Sequence, residues 1–134
     1  MDLSHINWAA VVVAGISGFM VGPIWYSKFL FWNAWLSSTS LTSQQIATRN
    51  KGKVFGFALL FSVFMSATLA MFLTSPKSDI VWGAEAGFLT GIWTFSAIAI
   101  HSLFELKSWK YIFINGGYSM VSLTVMGAIL GCWR

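Results

Sequence analysis

Charge is what this chain has least of. Eight lysines and arginines and four acids make up 9% of its 134 residues. A soluble domain carries roughly 25% charged residues, so there are too few here to cover a water-facing surface. Cysteine is nearly absent as well. The single Cys132 excludes an intrachain disulfide, and near the end of the last apolar run it reads as a small apolar residue in a helix. No stretch alternates polar and apolar residues over roughly ten positions, which excludes membrane-spanning β-strands. The segment before the first apolar run, Met1-Asp2-Leu3-Ser4-His5, has no lysine or arginine. Without a basic flank, and with an apolar stretch too long for an h-region, that run is expected to be retained as a helix and not removed as a signal peptide. No nucleophile motif stands out anywhere.

What the chain does have is four long apolar runs, at residues 6–25, 54–73, 80–100 and 111–133, within a composition that is 57% hydrophobic. A hydrocarbon layer about 30 Å thick needs about 20 helical residues at about 1.5 Å each. Helices satisfy every backbone N–H and C=O internally, as lipid requires. The predicted fold class is therefore all-α: a polytopic integral membrane protein, one membrane domain over residues 1–134, with four transmembrane helices in a tight bundle. The connection at 27–53 is predicted to hold an interfacial segment, because residues 28–36 are rich in aromatics and too short to span. Pro23 removes a hydrogen bond near the end of the first helix and is expected to bend it.

Four crossings would place Lys28, Arg49, Lys51, Lys53, Lys107 and Lys110 on one side, and Lys77 and Arg134 on the other. Six cations against two predict an inner (cell) membrane orientation with both termini outside the cytoplasm. The net charge of +4 thus reads as a topology signal with anionic lipid nearby, and no nucleic-acid partner is expected. Trp8, Trp82 and Trp133 fall at expected outer ends, and Trp25, Tyr26, Trp109 and Tyr111 at inner ends, as interfacial aromatics do. Trp93 is the mid-helix exception. Thr42-Ser43-Gln44-Gln45 matches a capping box, so the second helix is predicted to start near Ser43 and enter the membrane near Val54. Asp79 is placed to cap the third helix. The short turn at 74–79 predicts that helices two and three are antiparallel neighbours.

Small residues recur every four positions: Gly18 and Gly22, then Ser62, Ser66 and Ala70, then Gly83, Gly87 and Gly91, then Gly127 and Gly131. In lipid, close backbone approach over such faces supplies the packing energy. At about 100° per residue, Gly83, Gly87, Gly91, Thr94, His101 and Glu105 share a broad face of helix three, and Glu85 points the other way. Glu85 lies about 7.5 Å below Ile80. It can reach the outer headgroups, favoured there by the helix dipole, or face a crevice or a neighbouring protomer as intramembrane acids do. Glu85 and His101 are about 24 Å apart along the helix and cannot form one acid–base pair. His101 and Glu105 stand one turn apart with no third ligand, so no metal is expected, and no cofactor. Glu105 is expected to pair with Lys28, Arg49 or Lys107. Asn115, Tyr118, Ser119 and Ser122 form one face of helix four. Facing the Thr94–His101–Glu105 stripe would satisfy both helices, as interhelical hydrogen bonding or as the lining of a small polar cavity.

Trp25-Tyr26-Ser27 followed by Phe31 and Trp35, then Leu41-Thr42, Phe104-Glu105, Trp109, Ile114-Asn115, Gly117-Tyr118 and 126–130 form an ordered set spanning nearly the whole chain. In this set the chain resembles a family of small, mostly bacterial, four-helix membrane proteins catalogued as domain of unknown function 1761. The chain departs from it at Lys28, where proline is expected, and at His101, where the family often has asparagine. The resemblance implies four helices and no known activity. Three functions fit the residues. The first is a non-enzymatic, homo-oligomeric bundle with a small polar or lipid-derived ligand between helices three and four. The second is a transporter or channel subunit using Glu85 and His101/Glu105. The third is a membrane enzyme using His101 and Glu105.

Overall fold

The computed structural model describes residues 3–75 and 79–133. Met1, Asp2 and Arg134, and Pro76, Lys77 and Ser78 of the expected outer turn, lie outside the described residues. After a short 3-10 turn at Leu3–His5 come six helices: α1 (Trp8–Trp25), α2 (Trp32–Ser38), α3 (Ser43–Ala47), α4 (Lys51–Phe72), α5 (Ile80–Phe104) and α6 (Trp109–Cys132). Among them α1, α4, α5 and α6, of 18 to 25 residues, are long and apolar enough to cross a membrane. Their outward faces carry Phe61, Phe64, Phe72, Phe88, Leu89 and Trp93, all exposed. A surface of that kind is stable when lipid is the solvent. The architecture is that of an all-α polytopic membrane protein.

The helix boundaries follow from short polar side chains. Orphan N–H groups at a helix start need acceptors. Asn7 accepts from the Ala10 N–H, Asn50 from Lys53, Asp79 from Trp82 and Ser108 from Tyr111. Thr42 and Gln45 form the reciprocal capping box. The helix started by that box does not run into the membrane, however. α3 stops at Ala47, Thr48 turns its hydroxyl back onto the Gln44 and Gln45 carbonyls, and Asn50 caps a new helix. Threonine and asparagine offer the backbone these local alternatives, and two of them within three residues break the helix.

The turn between α5 and α6 ends α5 in a 6→1 arrangement. The Lys107 N–H donates to the Ser102 carbonyl and the Leu106 N–H to the Leu103 carbonyl. This geometry puts Leu106 at φ 60°, a position that glycine usually fills. Leu106 is 92% exposed, so its side chain gives no packing in return. Leu106→Gly is expected to stabilise the fold by about 1 kcal/mol, read as a higher melting temperature in detergent.

α6 is the centre of the bundle. α5 packs almost wholly on α6, α1 packs on both α4 and α6, and α4 and α5 barely touch. The expected pairing of the second and third spans is thereby corrected. A short connection sets the direction of the next helix, but side-chain size decides which helix it lies against. Here glycine decides. A Cβ on Gly83 would collide with the Gly127 carbonyl, one on Gly87 with the Leu123 carbonyl, and one on Gly131 with the Asp79 carbonyl. On the other side of α6, Gly18 of α1 is packed by Met126, and Gly15 of α1 by Val63 of α4. Three buried serines tie this side to the α1 backbone. Ser66 donates to the Val11 carbonyl at 2.8 Å, Ser62 to Gly15 at 2.7 Å and Ser122 of α6 to Gly18 at 3.1 Å.

Candidate functional site

The tight packing of α1 on α4 covers only part of each helix. In α1 the buried positions run from Ala10 to Gly18, and in α4 from Ser62 to Ala70. Residues 51–58, the first two turns of α4, are all exposed. The sequence shows why. Small residues let the backbones close at Gly15, Ser62 and Ser66, whereas Phe19 and Phe55 meet ring to ring at 6.3 Å and hold the other ends apart. A cavity of about 550 Å³ lies in the gap. α1 contributes Phe19, Gly22 and Pro23 to it, with Tyr26 at its C-cap. Trp32 and Trp35 of α2 line it, as do Val54, Phe55 and Ala58 of α4, and Tyr111, Asn115 and Tyr118 of α6. Arg49, from the break between α3 and α4, completes it.

The wall between α1 and α6 is a network of rings and hydrogen bonds. The Trp25 indole N–H donates to the Ile114 carbonyl at 2.8 Å, and the ring packs on Gly117 and on Phe31 at 4.6 Å. The Tyr26 hydroxyl donates to Asn115 Oδ1, and its ring meets Trp35 at 5.7 Å and Tyr118 at 5.5 Å. Burial, with Tyr118 and Tyr111 alongside, raises the Tyr26 phenol above its ordinary range, so Tyr26 stays a neutral donor. A Cβ on Gly22 would stand 3.4 Å from Tyr118 Oη, so glycine there leaves room for the phenol. The connection between α1 and α4 is tied down at the same end, where Lys110 Nζ donates to Ser37 at 3.0 Å and Lys107 Nζ to Ser40 at 3.3 Å. The cavity therefore sits at the end of the bundle that carries Lys28, Arg49, Lys51, Lys53, Lys107 and Lys110.

The structure brings together only some of the residues singled out from sequence. Asn115 and Tyr118 line the cavity, Ser119 is half-buried nearby in sequence, and Ser122 bonds to Gly18. This polar face of α6 meets α1 and not the third span, because the opposite face of α6 is taken by the glycine contact with α5. Thr94 bonds to its own helix at the Thr90 carbonyl and lines a separate cleft of about 160 Å³ between α4 and α5. His101, Glu105 and Glu85 are exposed and line none of the cavities described. The reason is rotational. Contacts spaced four apart advance about 40° per step at about 100° per residue. The buried stripe of α5 therefore passes from Gly83, Gly87 and Gly91 to Ser102 and leaves His101 outside. Glu105 makes no ion pair among the described residues. Lys107 lies instead over the Tyr111 ring at 5.4 Å. Sequence reasoning missed Arg49, Phe19, Phe55, Ala58, Trp32 and Trp35 as one site. The signal that points there is the ordered set of Trp25-Tyr26, Phe31, Trp35, Ile114-Asn115 and Gly117-Tyr118, whose members touch one another across α1, α2 and α6.

Fold and cavity together define an all-helical polytopic membrane protein with an aromatic-walled chamber at its basic end. The chain belongs to the family described as protein of unknown function (DUF1761), which matches residues 9–131. No curated protein and no solved structure matches it.

Proposed function

We propose that the protein is a non-enzymatic membrane bundle that holds a small lipid-derived ligand in the chamber between α1, α4 and α6. The basic end faces the cytoplasm and both termini lie outside it. The observation that carries the reading is the chamber of about 550 Å³, within the roughly 300–1,000 Å³ of small-molecule sites. Its lining matches such a site too: mostly apolar and aromatic, with a few polar groups at Tyr26, Asn115, Tyr118 and Arg49. The six cations gathered at the same end support the orientation by the positive-inside rule.

The test is native mass spectrometry of the full chain, purified in detergent and supplied with phospholipid. The wild-type chain is expected to retain one lipid through delipidation. Ala58→Phe puts a ring into the chamber from a position that is already exposed and is expected to lower that occupancy at least tenfold with the melting temperature unchanged. Equal lipid retention by Ala58→Phe and the wild-type chain would sink the reading.

A further inference from the structure

The chamber is not neutral. Arg49 Nε is buried and meets no hydrogen-bond acceptor among the described residues, and the guanidinium lies 5.1 Å over the Phe55 ring. A buried N–H of a charged group costs free energy unless an acceptor reaches it. The chain has four acids to offer. Asp79 caps α5 at the far end of the bundle, Glu85 and Glu105 are exposed on α5 and at its C-cap, and Asp2 lies outside the described residues. No acid among the described residues lines the chamber. Its polar groups are otherwise uncharged. Among the described residues nothing answers the Arg49 charge in the chamber, and an anion entering from outside would supply both the missing acceptor and the counter-charge.

The chamber also has a direction. Arg49 precedes the first turn of α4, level with Lys51 and Lys53. Ala58 lies seven residues beyond Lys51, about 10 Å further along the helix, and Phe19 lies six residues before Trp25, about 9 Å from that end of α1. The lining passes from a cation at headgroup level to Phe19, Val54 and Ala58 within the apolar layer. A lipid of the adjacent leaflet is graded the same way. Free phosphate is not, and it would leave the apolar half unfilled.

Resting on the ligand-binding reading above, we infer that the occupant is an anionic amphiphile of the leaflet at the basic end, its oxyanion on the Arg49 guanidinium and the start of its chain against Phe19 and Ala58. A guanidinium presents several N–H donors in a planar fork that fits phosphate and carboxylate oxygens.

The full chain in neutral detergent is titrated with equal amounts of phosphatidylglycerol and phosphatidylcholine of matched chains, and the adducts are counted by native mass spectrometry. The wild-type chain is expected to prefer phosphatidylglycerol about tenfold, which is about 1.4 kcal/mol. Arg49→Gln is expected to bring the preference close to one while an adduct of either lipid persists, which also shows that the variant is folded. Arg49→Lys should keep part of the preference. Lys51→Gln with Lys53→Gln should keep nearly all of it, since these side chains are exposed. Several results overturn the inference: no preference in the wild-type chain, full preference in Arg49→Gln, or loss of preference in the lysine variant alone. Displacement of phosphatidylglycerol by millimolar inorganic phosphate would also overturn it, by showing a site for the free ion. Binding of both lipids without preference overturns the charge inference and leaves the chamber reading standing. Binding of neither overturns both.

Discussion

Gly127→Leu prevents recovery of a folded, monodisperse protein from detergent, whereas Gly56→Ala leaves the melting temperature unchanged or raises it. Both replace a glycine within a membrane-length helix, and the structure separates them. A Cβ at position 127 collides with the Gly83 carbonyl and stands 3.1 Å from the Gly87 amide nitrogen. These are backbone atoms, so no rotamer change relieves the clash and the helix axes must part. Parting them also undoes the contacts of Gly83, Gly87 and Gly131, and α5 has almost no other surface to lie on. In lipid that close approach is itself the driving force for association. Overpacking costs typically 1–3 kcal/mol and occasionally more, and this site is placed at about 3 kcal/mol or above. At Gly56 the added methyl meets nothing within 4 Å, and alanine gains up to about 1 kcal/mol in helix propensity. Thermal unfolding followed by circular dichroism checks the pair. A Gly127→Leu chain that melts like the wild-type protein would contradict the packing of α5 on α6.

Trp25→Ala is the second large effect, expected to cost about 3 kcal/mol and to lower lipid retention with it. The substitution removes the hydrogen bond to the Ile114 carbonyl, the packing on Gly117 and the stack on Phe31. Tyr26, next in the chain, owes its place against Asn115 and Tyr118 to that anchor. Trp25→Phe keeps a smaller ring but loses the hydrogen bond and the outer indole carbons that meet Gly117, and its expected cost is intermediate, about 1–2 kcal/mol. The order wild type, Trp25→Phe, Trp25→Ala in melting temperature and in retained lipid measures how far the junction rests on the ring at this position. Equal behaviour of Trp25→Ala and wild type would show that the α1–α6 junction is held elsewhere.

The four spans were legible in the sequence because lipid imposes one requirement, an uninterrupted apolar run of fixed length. Their ends were less legible: the capping box at Thr42 suggests that the second helix starts near Ser43, but that box starts a separate short helix. The apolar run suggests a start at residue 54 for the second span, and the helix begins at Lys51, because Asn50 supplies an N-cap outside the apolar stretch. The short glycine-spaced faces were legible as contact surfaces too. Which face meets which was not. Glycines at 18, 22, 83, 87, 91, 127 and 131 look alike in sequence, and only the three-dimensional match of Gly83 with Gly127 assigns α5 to α6. The same ambiguity moved the candidate site. His101 and Glu105 drew attention as the conspicuous polar pair, yet the rotation of the α5 stripe leaves them exposed. Arg49 looked like one more headgroup cation. Its half-buried place, with Nε covered, follows from the divergence of α1 and α4 around Phe19 and Phe55, which spacing along one helix does not encode.

The chamber between α1, α4 and α6 is proposed to hold a lipid-derived ligand. The most direct measurement is photocrosslinking with a diazirine-bearing anionic lipid at low ratio to protein, followed by peptide mapping. Labelling is expected to concentrate on the chamber peptides, those holding Phe19, Ala58 and Tyr118, and to be lost in Ala58→Phe. Labelling spread over the outward face of α5 around Phe88, Leu89 and Trp93, with the chamber peptides unmarked, would contradict that occupancy.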